Sequence, residues 1–247
     1  MTDDIKPGSK SLSEELRKLR AVCIFTGGAA HDYNNALTAV MGNISLAKLE
    51  AEDNQELMEL LKDAEKAAGR IKNMTERVAL FARGIRVNKK TSSVAEIVKR
   101  AISTVTGDYP GTLKLDIKDD LPELDLDPEL LYEAIICIIE NAREAAPSDD
   151  GIIEVNVLRE DVRNSSKLYG EGVADGDYIK VAVKDNGRGF NPDDISVLFD
   201  PYFSTKKGRD GIGLALAYSI LKRHRGFITA ALPQGGGSLF SIFIPLF

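Results

Sequence analysis

Between Pro7 and Pro110 the chain has no proline, and the other seven all follow Pro110. A long proline-free run suits long helices; scattered prolines suit strands and turns. Within the run, apolar residues recur at steps alternating four and three. They fall at Leu12, Leu16, Leu19, Cys23, Thr26, Ala30, Tyr33, Leu37, Val40, Ile44 and Ala47, with Thr26 the weak member. That spacing is a heptad seam. A second seam passes through Leu57, Leu61, Ala64, Ala68, Ile71, Met74 or Thr75, Val78 and Phe81. Ser11 or Ser13 caps the first helix, with Glu14 and Glu15 in its first turn. The polar stretch Glu50–Asn54 joins the two helices, and Gly84 ends the second in the left-handed conformation. The pattern predicts an antiparallel helical hairpin. One apolar stripe per helix buries too little, and pairing two hairpins as a four-helix bundle hides both stripes. A homodimer through residues 11–84 is therefore expected.

Composition narrows the function classes. Hydrophobic residues make up 43% of the 247 and charged residues 28%, as in an ordinary globular chain. A net charge of -6 without a long basic run argues against a nucleic-acid partner. Cys23 and Cys137 both lie in apolar helical patterns with no metal-ligand spacing, which reads as reduced thiols. No run reaches the ~20 apolar residues of a membrane span, and the polar start is not a signal peptide. The expectation is a cytoplasmic chain without direct membrane contact, whose opening TDDIKPGSK looks like a linker in a larger protein.

The chemistry of the first half centres on His31, one of two histidines. It follows seam residue Ala30 by one position, about 100° round the helix, and so faces solvent. Asp32 beside it can hydrogen-bond the ring or take its proton. Asn35 lies one turn on, on the same face. Gly27 and Gly28 each cost about 1 kcal/mol relative to alanine inside a helix. Local bending or close approach of a partner are the two readings of that cost.

Beyond a polar link at Asn88–Ser93 the pattern changes. It predicts a helix over Val94–Val105, a strand over Thr112–Ile117, and a helix opened by Asp127-Pro128 and closed before Pro147. Strands over Ile152–Leu158 and Tyr178–Val183, a short helix at Ile195–Leu198, a helix over Gly213–Arg223 and strands over Phe227–Leu232 and Ser238–Ile244 complete an α/β sandwich with helices on one face. Three local features stand out. Asn141 sits in an otherwise apolar helix, as a surface amide or as an oxygen ligand for Mg²⁺. Asp185-Asn186-Gly187-Arg188-Gly189 follows a strand, as a plain hairpin turn or as a ligand turn whose carboxylate accepts from an adenine amino group. Gly211-Ile212-Gly213-Leu214 opens a helix after a glycine-containing stretch, as a linker or as a phosphate site. Phe199, Pro201, Tyr202, Phe203 and Thr205-Lys206 between them read as the base of a lid. His224, among Lys222, Arg223 and Arg225, reads as a structural or surface residue, its cation favoured at a helix C-terminus.

Taken together these stretches resemble one family. HDYNN, followed by ALTAVMGNISLA, resembles the phospho-acceptor box of sensor histidine kinases of two-component signalling, with Tyr33 for the usual Phe and Ala36 for the usual Leu. ENAREAA, DNGRGF, LFDPYFSTK and GIGLALAYSIL, in that order, resemble the N, glycine and F boxes of the Bergerat-type ATPase fold. GGGSLFSIFIP resembles its closing strand. The resemblance implies an α+β multidomain architecture: a phospho-acceptor hairpin over residues 11–88, forming a dimeric four-helix bundle, and an α/β sandwich ATP-binding domain over 89–247. It implies that His31 is autophosphorylated, that Asp32 helps deprotonate it, and that Asn35 orients water for dephosphorylating a partner. It implies ATP and Mg²⁺, with Asn141 holding the metal and Asp185 reading adenine near Ser238. Gly187, Gly189, Gly211, Gly213 and Leu214 line the nucleotide, and Lys206 contacts phosphate. The phosphoryl group then passes to an aspartate of a response-regulator receiver domain.

Two positions depart from the pattern. Cys137 stands where many such kinases have a second Asn and the gyrase-like hydrolases a Glu, and sulfur is a poor Mg²⁺ ligand. Arg209 stands where the glycine box often has its first Gly. The alternatives are a degenerate homologue acting as a phosphatase or scaffold, which Cys137 favours, and a plain dimerisation module.

Overall fold

The computed structural model describes the backbone of residues 7–83, 85–107, 109–165, 173–206 and 211–246. Side chains are described for the same residues except 7–27, 31, 81–83 and 106. The chain divides into two units, Met1–Gly84 and Ile85–Phe247.

In the first unit, helix α1 (Pro7–Glu50) runs through Gly27, Gly28 and His31 without a break, and helix α2 (Gln55–Arg83) packs against it. The turn between them is tight. Ala51 N donates to Lys48 O and Asn54 N to Ala51 O, and Asn54 Oδ1 accepts from Leu57 N at 3.1 Å as an N-cap. Lys48 reaches Glu65 across the hairpin at 2.9 Å. Ala30 and Ala68 are buried between the helices. Other seam members are not: Tyr33, Val40, Leu57, Ile71 and Met74 stay exposed on the single hairpin. Gly28 has open space where a Cβ would stand, so no close approach within the chain explains it. Gly84, expected to end α2, lies outside the described residues.

The second unit starts earlier than the composition shift implies. Ile85 is buried, and Asn88 N donates to Asp127 Oδ2 at 2.7 Å. Strand β1 (Lys90–Ser92) then pairs antiparallel with β3 (Leu124–Leu126). The stretch Asn88–Ser93, a polar link on sequence grounds, therefore folds with the second unit. Short strands whose side chains stay polar leave no period to read.

Helix α3 (Val94–Thr106) is capped by Ser93, whose hydroxyl accepts from Glu96 N at 3.3 Å. Strand β2 (Thr112–Ile117) precedes helix α4 (Pro128–Ala145), which Asp127 caps by accepting from Glu129 N and Leu130 N. Strands β4 (Ile152–Val162) and β5 (Gly176–Asp185), helix α5 (Gly213–Arg223), and strands β6 (Phe227–Ala231) and β7 (Leu239–Pro245) follow. Among the described residues one sheet has the order β2-β4-β5-β7-β6, with β2 and β4 parallel and every other pair antiparallel. α4 lies against β5, α5 against β6 and β7, and α3 against α4. Ile153, Val155 and Val157 are fully buried while Glu154 and Asn156 alternate outward, as period two demands of a half-covered strand.

The expected short helix at Ile195–Leu198 is absent. A 3₁₀ turn over Pro192–Asp194, capped by Asn191, takes its place, and turns continue to Phe199. Proline in the first turn and an Asn able to accept from Asp193 N favour this local solution. On the sheet's other side Tyr178, Phe227, Phe243 and Val162 form a second small core, with Phe227 and Phe243 stacked at 4.3 Å.

Candidate functional site

The site in the second unit is built on the end of β5. There Asp185 is 1% exposed, a carboxylate deep in the fold. Its Oδ1 accepts from Gly187 N at 2.8 Å and from Ser238 N at 3.2 Å. The Ser238 hydroxyl donates to Oδ2. The backbone reciprocates, Asp185 N donating to Ser238 O at 3.0 Å. A buried charge survives only when hydrogen-bonded, and these donors from two strands supply that while fixing the carboxylate's orientation. Gly237 has φ +81, and a Cβ there would meet Asp185 O at 1.8 Å, so glycine is required for the two strand ends to touch. The same holds at Gly187, where a Cβ would stand 2.1 Å from Ala145 O at the end of α4.

Asn186 has a role the sequence does not reveal. Its Oδ1 accepts from Ile152 N at 2.8 Å and its Nδ2 donates to Asp150 O at 2.9 Å. It thus staples the turn to the start of β4. DNGRG is no hairpin turn: β5 pairs with β4 and β7, and the glycines continue past both.

α4 brings the second group of residues. Its segment from Ala134 to Ile139 is buried throughout, and the polar Asn141 follows at its edge. Lys206 Nζ donates to Asn141 O at 3.1 Å and to Asn141 Oδ1 at 3.0 Å, and lies 3.7 Å from Glu144 Oε2. Burial lowers the pKa of Lys206 from the ordinary lysine value; the Asp185 carboxylate opposes this and the Arg188 guanidinium adds to it. Lys206 thus feels the charge of Asp185 on β5 and of Arg188 just beyond it.

α5 supplies the third group. Its N-cap is Ile212, whose side chain has no atom able to cap, and its first turn has no acidic residue. The N–H groups of a helix start and the positive end of its dipole suit an anion. Gly213 opens the helix with its would-be Cβ 3.8 Å from Cys137 Sγ, an ordinary contact, so this start lies against α4 one turn before Asn141. Leu214 is half-buried beside it. Phe199 stacks on Tyr218 of α5 at 5.9 Å, anchoring the segment that carries Lys206. Gly211, with φ +65, accepts from Tyr202 N at 3.1 Å, and Gly189, with φ +70, lies against Gly237 O. Arg209 lies outside the described residues.

The groups suit an adenine nucleotide: a fixed carboxylate acceptor at one end, an ammonium and a helix start at the other. For Mg²⁺ the fit fails in this structure. Asn141 Oδ1, the oxygen expected to hold the metal, is taken by Lys206, and Cys137 offers sulfur. Among the described residues no cluster of three His, Cys, Asp or Glu side chains is placed to hold a metal ion.

Of the two readings of His224, structural or surface, the fold supports the structural one. It is 6% exposed, its Nε2 accepts from Asp127 N at 3.0 Å and its Nδ1 faces Ile220 O at 2.9 Å. That arrangement requires the neutral ring with its proton on Nδ1.

In the first unit the His31 backbone is helical and its side chain lies outside the described residues. Asp32 and Asn35 are exposed.

Residues 126–247 match the family model described as "Histidine kinase-, DNA gyrase B-, and HSP90-like ATPase". Residues 22–85 match the one described as "His Kinase A (phospho-acceptor) domain". The chain belongs to the sensor histidine kinases of two-component systems. This histidine kinase is 28% identical over 243 residues to Sporulation kinase E of Bacillus subtilis, covering 96% of this chain and 31% of the relative. It is 26% identical over 241 residues to Sensor histidine kinase ZraS of Escherichia coli K12, covering 95% of this chain and 48% of the relative. It thus spans about a third to a half of the length of these two curated relatives. The fold is shared with full-length ShkA, solved in complex with AMPPNP, at a TM-score of 0.67, with 15% identity over 89% of this chain and 45% of that one. No helix among the described residues is long and apolar enough to cross a membrane.

Proposed function

We propose that this histidine kinase is an ATP-dependent autokinase that phosphorylates its own His31 and donates the phosphoryl group to a response-regulator aspartate. The observation that carries the reading is the buried Asp185, oriented by Gly187 and Ser238, in the same site as Lys206 and the start of α5. The carboxylate accepts from the exocyclic amine of adenine. Gly187, Gly189, Gly211, Gly213 and Leu214 line the path along which the phosphates reach Lys206 and the α5 N-terminus. Mg²⁺ enters this reading as the counter-ion that the nucleotide brings with it.

In the transfer step a ring nitrogen of His31 attacks the γ-phosphorus. An N–P bond forms, the bond to the bridging oxygen breaks, ADP leaves and the ring proton passes to Asp32. Asn35 orients water for the reverse task of dephosphorylating the partner. Phosphoryl transfer needs little covalent help from protein, so positioning and charge carry the catalysis. The partner of the hairpin is a second copy of this chain, because the exposed Tyr33, Val40, Ile71 and Met74 continue the seams that each single hairpin leaves uncovered.

The test is incubation with γ-labelled ATP and Mg²⁺, comparing the parent with His31→Gln. Label that is acid-labile, alkali-stable and absent from the variant is the expected result. A parent that binds ATP but takes up no label overturns the autokinase reading in favour of the degenerate regulator. The observation favouring that second reading is Cys137, buried beside Gly213 where a second oxygen donor is expected.

A further inference from the structure

We infer that Lys206 holds the place of a divalent cation at Asn141, so that nucleotide binding to this kinase depends little on Mg²⁺. The inference rests on the ATP reading of the same site. Its first observation is a chelate. One ammonium bridges the backbone carbonyl and the side-chain carbonyl of a single residue, at 3.1 and 3.0 Å. Two oxygens of Asn141 thus converge on a point charge in the way they would converge on a metal. The side chain of Lys206 is 22% exposed, and those oxygens replace part of the water its ammonium loses.

The second observation is the donor set. Mg²⁺ requires oxygen ligands in near-octahedral geometry. One helical turn before Asn141 the chain places Cys137, 4% exposed and packed against the start of α5. A thiol there cannot replace an oxygen donor for a hard cation. α4 thus offers one carboxamide oxygen from these two positions, and that oxygen is in use.

The third observation concerns capacity for phosphate. A lysine ammonium has three donors. Among the described residues Asn141 takes two, and the contact to Glu144 at 3.7 Å is too long for a hydrogen bond. A phosphate oxygen can take that third donor without displacing the chelate. Lys206 then neutralises phosphate charge while remaining on Asn141, and the site loses the usual reason to recruit a metal for binding.

The test is calorimetric titration of the full chain with ADP, once with excess Mg²⁺ and once with EDTA, repeated on Lys206→Met and Cys137→Asn. The expected change for the parent on removing Mg²⁺ is less than about tenfold in Kd, or ~1.4 kcal/mol. Lys206→Met is expected to lose most of its affinity in EDTA, and Cys137→Asn to gain affinity only when Mg²⁺ is present. A parent that binds with Mg²⁺ but loses more than about a hundredfold in EDTA overturns the inference and leaves the ATP reading standing. Lys206→Met binding ADP in EDTA as the parent does also overturns it. Absence of ADP binding under both conditions sinks the ATP reading itself. The parent's own ratio decides the case even if a variant fails to fold.

Discussion

Lys206 shows how much one side chain can concentrate. It ties the segment anchored by Phe199 to α4, feels Asp185, and has the downshifted pKa that desolvation imposes. The sign of its pH dependence follows. A nucleotide anion needs the charged ammonium, which is present below the folded-state pKa and lost as pH rises through it. Because that pKa lies below the ordinary value of 10.5, the loss begins at less alkaline pH than for a free lysine. ADP affinity measured against pH should therefore fall on the alkaline side in the parent. Lys206→Arg, whose guanidinium stays charged, should show no such fall. A parent profile as flat as the variant's would remove Lys206 from the phosphate site.

The elements meet at glycines, and two of these give opposite expectations. At Gly187 a Cβ would drive into the backbone of Ala145, so the turn after β5 and the end of α4 could not keep their contact. Gly187→Ala should destabilise the chain by about 1–3 kcal/mol, the range for overpacking, and abolish nucleotide binding. At Gly213 a Cβ would rest 3.7 Å from Cys137, in ordinary contact. Gly213→Ala should therefore leave the melting temperature near the parent's. Thermal unfolding with and without ADP measures both. Equal melting temperatures for the two variants would show that the close approach at Gly187 is not a constraint.

For the whole molecule, the question is what covers the hairpin. Tyr33 and Val40 on α1 and Ile71 and Met74 on α2 are exposed seam residues. A charge placed there would be desolvated in a four-helix bundle and harmless on a lone hairpin. Ile71→Asp should shift the chain from dimer to monomer in sedimentation equilibrium while leaving ADP binding intact, since the nucleotide site lies wholly in the second unit. A parent that sediments as a monomer would contradict the homodimer.

Local patterns alone revealed the hairpin, the helices over Val94–Val105 and Gly213–Arg223, and the Asp127 cap. Each is governed by residues within a turn or two of one another: seam spacing, a cap, a proline. The glycines and the carboxylate at fixed offsets stood out the same way, as candidates. Tertiary structure decided the rest. Asn88–Ser93 looks like a linker until Asp127 and β3 receive it. His224 reads as structural or surface, and only the fold decides, bringing Asp127 N to its Nε2 from 97 positions away. Asn141 reads as a surface amide or a metal ligand, and only the fold brings Lys206, 65 positions on, to its oxygens. Period and capping are short-range physics written in adjacent letters. Which polar atom far along the chain satisfies which other depends on the packed fold, and no short stretch of sequence contains both partners of such a pair.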